Sequence, residues 1–494
     1  MSQAKEKRLS ASIEAAKRAK KRRIIIAVCV VLAVLIVVTP LAMFSSGVFY
    51  RVATAITIDG TKFTVADFNY YYNSAMQTAY TSIYSQYGEY ADSLLDPSKP
   101  LDDQKYSDEM TWHDYLCESA IETMRSVVML HDEAEENGFT LSEEQEQEFS
   151  DMIEQNYAMA EAYGYSEEGY LQAMYGTGMD RATFERNSRD AFFAQTYGTY
   201  ILNGRIYTDE ELAAAYEADP DSYDYVDYRI YAISGEAGEG EDATATMAAA
   251  KAEAEEMAAR VNDGEEFVDV ICDHAPENLK ESYADPEYTL AANATYSSVS
   301  STIYGEWLFD PARVDGELKV FEVSAGYTLI QFLGREDNDY NSRDFRHILI
   351  EPETDEEGNV TDEALAAAEI EAKELLLKWQ NGDATAESFA ALADEYSDDD
   401  GNLEGGLYEN IPKNQVVDAL DDWLFTELQP GDTALLESEY GYHIVYYVGE
   451  NANVRAQLVE NAQRSSDYNA WVEESIAGYV ADTDTFGYRF VGNI

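Results

Sequence analysis

Two of the chain's five histidines stand inside apolar runs that read as β-strands, His347 in Arg346-His-Ile-Leu-Ile350 and His443 in Tyr442-His-Ile-Val445. A single histidine in a strand is most often a hydrogen-bonded core residue. These two sit at opposite ends of a segment of about 105 residues, and an earlier, similar segment holds Ile230 and Thr328 at the matching positions. Losing both histidines together marks them as a pair with a shared task. The other three, His113, His131 and His274, are scattered and read as structural or exposed. No Cys/His spacing fits a zinc site. Asp398-Asp-Asp-Gly401 fails as a calcium loop, because Tyr396 and Leu407 fall where its first and twelfth carboxylates are required. The reading is therefore of a site with no metal and no cofactor.

The segments that position the pair are duplicated. Tyr228-Arg-Ile-Tyr-Ala-Ile233 matches Phe345-Arg-His-Ile-Leu-Ile350, Trp307-Leu-Phe309 matches Trp423-Leu-Phe425, and Gly326-Tyr-Thr-Leu-Ile330 matches Gly441-Tyr-His-Ile-Val445, at offsets of 117, 116 and 115 residues. Three anchors in one order at nearly constant spacing indicate an internal duplication into two α+β domains, residues 227–338 and 343–450. A polar stretch, 336–344, suits a linker between them. Upstream, Asp59-Gly60 between Ile56-Thr-Ile58 and Lys62-Phe-Thr64 predicts a hairpin. Capping patterns at Thr64/Asp67, Ser142/Gln145 and Thr208/Glu211, with an apolar face over 112–137, make 65–220 mainly helical. A last helix, 454–479, is too short to stand alone and should pack back onto that helical domain, so that 451–494 completes 51–226.

Residues 345–450 resemble a parvulin-type peptidyl-prolyl isomerase, the rotamase module of PrsA and SurA foldases. The resemblance rests on six segments in order: Arg346–Ile350; Ser388-Phe-Ala-Ala-Leu-Ala-Asp-Glu-Tyr-Ser-Asp-Asp399; Glu404-Gly-Gly-Leu407; Ala419-Leu-Asp-Asp-Trp-Leu-Phe425; Leu428-Gln-Pro-Gly431; and Gly441-Tyr-His-Ile444. It implies that His347 and His443 are the paired active-site histidines, that Asp399 takes the position that is Cys or Asp in the family, and that Ser438 adds a hydroxyl to the same network. It further implies that Leu407, Val416, Leu420 and Phe425 receive the substrate proline. Val416 and Leu420 stand where the family usually has Met and Phe, and Tyr408 replaces a Gly, which implies a shallower pocket and lower activity. The first copy resembles a degenerate parvulin that binds or spaces without catalysing. The 51–226 region resembles the chaperone domain of such foldases, and the layout admits a homodimer.

Charge and hydropathy bound the setting. The chain has 33 Lys+Arg against 96 Asp+Glu, a net charge of −63. Residues 1–23 hold nine basic and two acidic side chains, so the tip is +7 and the remainder −70. A polyanion of this size repels phosphate backbones and excludes nucleic-acid binding. Residues 24–44 are 21 consecutive uncharged residues, enough at about 1.5 Å each to cross the roughly 30 Å hydrocarbon core. The expectation is a retained single-pass anchor in the cell membrane, with the basic tail cytoplasmic and everything after it extracytoplasmic. Taken with the resemblance, this implies a membrane-anchored foldase that isomerises X–Pro bonds in newly translocated, unfolded polypeptides. The competing expectation is a holdase that uses parvulin-like domains only to bind.

Overall fold

The computed structural model describes residues 20–22, 42–238, 242–355, 358–399, 401 and 404–492. The expected membrane helix, 24–44, lies outside the described residues except for its last three positions. Among the described residues no helix is long and apolar enough to cross a membrane. The chain divides into two units, residues 1–206 with 464–494, and 207–463.

The first unit is helical around a small sheet. Strands β1 (Thr54–Ile58) and β2 (Thr61–Thr64) form the hairpin that Asp59-Gly60 predicts, with both turn residues at positive φ. Thr64 and Asp67 close a capping box on the Val65–Tyr87 helix, and Thr111/Asp114 and Ser142/Gln145 do the same for Trp112–Glu136 and Glu143–Ala162. Phe68, Tyr72, Leu116, Ala120, Met124 and Tyr197 fill its core, with Trp471, Val472, Tyr479 and Phe490 of the C-terminal segment packed against them.

The second unit holds two four-stranded antiparallel sheets. Further strands in chain order are β3 (Tyr225–Ser234), β4 (Leu290–Thr295), β5 (Leu318–Val323), β6 (Gly326–Glu336), β7 (Asn341–Ile350), β8 (Leu407–Ile411), β9 (Thr433–Ser438), β10 (Gly441–Asn453) and, back in the first unit and paired with β1, β11 (Ala481–Asp482). The sheets run β4-β3-β6-β5 and β8-β7-β10-β9, the same order twice. Their registers also agree, since Ile230 faces Ile330 as His347 faces Val445, and Ala232 faces Thr328 as Leu349 faces His443. Gly326 and Gly441, at φ 151° and 130°, open β6 and β10. A Cβ on either would collide with the carbonyl of the facing strand, Ile233 or Ile350, so each turn requires glycine.

Strand alternation splits the second sheet into two faces. Ile348, Ile350, Tyr442 and Ile444 pack on the Asp362–Gln380 and Ala386–Tyr396 helices through Ala372, Leu375 and Phe389. Phe345, Val445 and Tyr447 point the other way, onto Leu420 and Leu424 of the short helix Asp418–Leu424. The polar stretch 336–344 differs from a solvated linker. Its last four residues belong to β7, and the turn before them is tied down: Asn338 is fully buried and donates to the Tyr223 carbonyl at 2.9 Å, while Arg455 pairs with Asp337 and Asp339. Charge composition marked the stretch as polar without revealing that Asp337, Asn338 and Asp339 are held by specific partners.

Candidate active site

His347 and His443 occur at odd positions of neighbouring central strands, on the face turned away from the long helices, and both are buried. Diagonal to each other on that shared face, they place His347 Nε2 2.8 Å from His443 Nδ1. The third member is brought in by the loop after the Ala386–Tyr396 helix. Ser397 Oγ accepts from the Leu349 N–H at 3.1 Å and Asp398 N–H donates to the Leu349 carbonyl at 2.9 Å, which holds the loop against β7. Asp399 Oδ2 then lies 3.2 Å from His347 Nδ1. Ser438, the last residue of β9, places Oγ 2.5 Å from His443 Nε2, and its Oγ accepts from the Tyr440 N–H at 3.1 Å.

The partners fix the tautomers. An ionised carboxylate only accepts, so His347 carries its proton on Nδ1 and presents Nε2 as an acceptor. His443 must then donate from Nδ1, which leaves its Nε2 to accept from the Ser438 hydroxyl. In this arrangement every donor in the row Ser438–His443–His347–Asp399 points toward the carboxylate. Burial, with the neighbouring His347 adding to it, lowers the His443 pKa to about 4. The hydrogen bond from His347 foremost, helped by Tyr408 and the Gly401 N–H, holds Asp399 well below the usual carboxylate range against the opposing effect of burial.

The network borders a cleft of about 630 Å³, lined at its apolar part by Phe345, Val416, Val417 and Leu420. Two residues expected at the proline pocket are there, Val416 and Leu420. The other two are elsewhere. Leu407 pairs across the sheet with Arg346, on the face opposite Phe345 and His347, and does not line the cleft. An irregularity in the β7–β8 pairing between Arg343 and Phe345 sets this register, and a shift of one residue exchanges the faces. Phe425 also stays out of the cleft: its ring meets Tyr340 edge-on at 5.5 Å and lies under the Arg343 guanidinium.

Tyr408 takes the place that the sequence reading gave to Leu407. It stacks on Phe345 with ring centroids 5.2 Å apart and an interplanar angle of 8°, and its hydroxyl donates to Asp399 Oδ2 at 2.5 Å. Burial first, and then this bond to a carboxylate, push its pKa up. A residue that stood out only as a departure from a family pattern is thus a fifth member of the network.

Residues 327–451 match the family model of the PPIC-type PPIase domain, which takes in the last strand of the first copy and the whole of the second. The chain is similar to the chaperone SurA of Chromohalobacter salexigens, 32% identical over 151 residues, which are 28% of this chain and 31% of that protein. It thus spans about a third of the length of that curated relative. Among solved structures it is similar to the peptidylprolyl isomerase PrsA of Bacillus cereus (16% identity, 60% of this chain and 85% of that one, TM-score 0.20) and to PrsA of Bacillus anthracis (12% identity, 44% and 79%, TM-score 0.22).

Proposed function

We propose that this chain is a membrane-anchored extracytoplasmic foldase whose second copy catalyses cis–trans isomerisation of X–Pro bonds, while the first copy and the helical unit hold unfolded polypeptide. The observation that carries the reading is the continuous row Asp399–His347–His443–Ser438 beside an apolar cleft. Rotation about an X–Pro bond must break amide resonance, against a barrier of about 18–20 kcal/mol that makes the uncatalysed step take tens of seconds or longer. No covalent bond to the substrate has to form. Val416, Leu420 and Phe345 hold the proline ring, and the polar row faces the amide being twisted. Catalysis follows if the site favours the twisted amide over either planar form. With its pKa near 4, His443 is neutral at physiological pH and offers an oriented dipole rather than an imidazolium, in a row that ends on the ionised Asp399.

The anchor at 24–44 and the extracytoplasmic side belong to the same proposal. They are supported by the uncharged run and the +7 tip before it. The clients are newly translocated chains containing X–Pro bonds. The test is refolding of a proline-limited protein in the presence of the full chain. Faster refolding at substoichiometric amounts supports catalysis. Suppressed aggregation with no change in rate would leave binding alone, the holdase reading, and would overturn the enzyme.

A further inference from the structure

The cleft is larger than one proline ring needs, and its far end has a different chemistry. Along β7 the cleft-facing residues run Phe345, His347, Leu349 and then Glu351, the first position after the strand. Glu351 is exposed, and its carboxylate has no hydrogen-bond or ion-pair partner among the described residues; its backbone N–H alone is engaged, by Asp398 at 3.0 Å. The other carboxylate of the cleft, Asp399, is consumed by His347 and Tyr408. Among the described residues no Lys or Arg lines the cleft. Nearby cations are engaged elsewhere: Lys413 pairs with Glu336 at 2.9 Å, Arg343 with Glu450 at 2.5 Å, and Arg346 donates to the Gly405 carbonyl at 2.6 Å.

From these observations we infer that Glu351 makes the site selective for X–Pro segments that carry a Lys or Arg within two residues of the proline. The inference rests on the isomerase reading above. At about 3.3 Å per residue, Glu351 lies roughly 13 Å along the strand from His347. An extended substrate covers about half that distance in two residues, and the long stem of a Lys or Arg covers the remainder. A free carboxylate at that point attracts the cation and repels an acidic flank, and it does so locally, apart from the general pull of a −63 chain.

The test uses the full chain in detergent and peptides of the form Ala-Xaa-Pro-Phe, Xaa-Ala-Pro-Phe and Ala-Ala-Pro-Xaa, with Xaa as Lys, Leu or Glu, read by NMR exchange. The Lys peptide of at least one series should exceed its Leu counterpart by about two- to fivefold in kcat/KM, the range expected of an exposed ion pair. The advantage should vanish in Glu351→Gln, turn toward the Glu peptide in Glu351→Lys, persist in Glu353→Gln, and shrink with added salt. Equal rates for Lys and Leu overturn the proposal while leaving the isomerase intact, as does a Lys advantage that survives Glu351→Gln. Acceleration of no peptide overturns the isomerase reading and this proposal with it.

Discussion

The two copies in the second unit share strand order, register and even the obligatory glycine of the last hairpin, yet only one of them carries a polar network. Where the second has His347, His443, Tyr408 and Ser438, the first has Ile230, Thr328, Ala291 and Val323 at the same register positions. What both keep is the helix-facing half of each central strand, such as Tyr231, Ile233, Tyr327 and Leu329 in one and Ile348, Ile350, Tyr442 and Ile444 in the other. The difference teaches that folding and chemistry are carried by opposite faces of one sheet. One face can change from polar to apolar while the other continues to specify the scaffold.

The largest effects should therefore be the same in both copies. Leu329 and Ile444 are equivalent, fully buried and helix-facing, and truncating either to Ala should destabilise the unit by about 2–5 kcal/mol in denaturant unfolding. A large cost in one copy and none in the other would break the equivalence. On the opposite face the copies should diverge. Tyr408→Phe removes a hydrogen bond to an ionised carboxylate and should lower kcat by between about tenfold and a hundredfold, at about 1.5–3 kcal/mol for such a bond, with KM little changed. Ala291→Tyr in the first copy should leave the rate untouched. The smallest effect is in pH. The folded His443 pKa of about 4 lies below the ordinary 6.5, so between those values the unfolded chain binds a proton that the native site does not. The resulting stability is fully present above pH 6.5 and fades as pH falls toward 4. An NMR titration of His443 should show a midpoint near 4, and a midpoint near 6.5 would contradict a His443 kept neutral by burial.

Much of this was legible in the sequence because it depends on local or periodic signals. The Thr64/Asp67 and Ser142/Gln145 boxes announce helix starts, Asp59-Gly60 announces a hairpin, and the repeated anchors reveal the duplication and the paired histidines. What stayed hidden depends on register. Nothing local to Leu407-Tyr408 tells which of the two faces the cleft, because the irregular β7–β8 pairing decides it. Phe425 was misplaced for a related reason: its ring settles against Tyr340 and Arg343, far apart from it in sequence. Glu351 gives no signal in the sequence, since its lack of a partner is a property of three dimensions.

The central claim is that catalysis resides in the second copy's polar row and nowhere in the first. Isomerisation of an X–Pro peptide by the full chain, compared among the native protein, His347→Ala, His443→Ala and the double Ile230→Ala/Thr328→Ala variant, tests it most directly. The account predicts loss of at least tenfold in each histidine variant and a native rate in the double variant. Native rates in the histidine variants, or a loss confined to the first-copy substitutions, would contradict it.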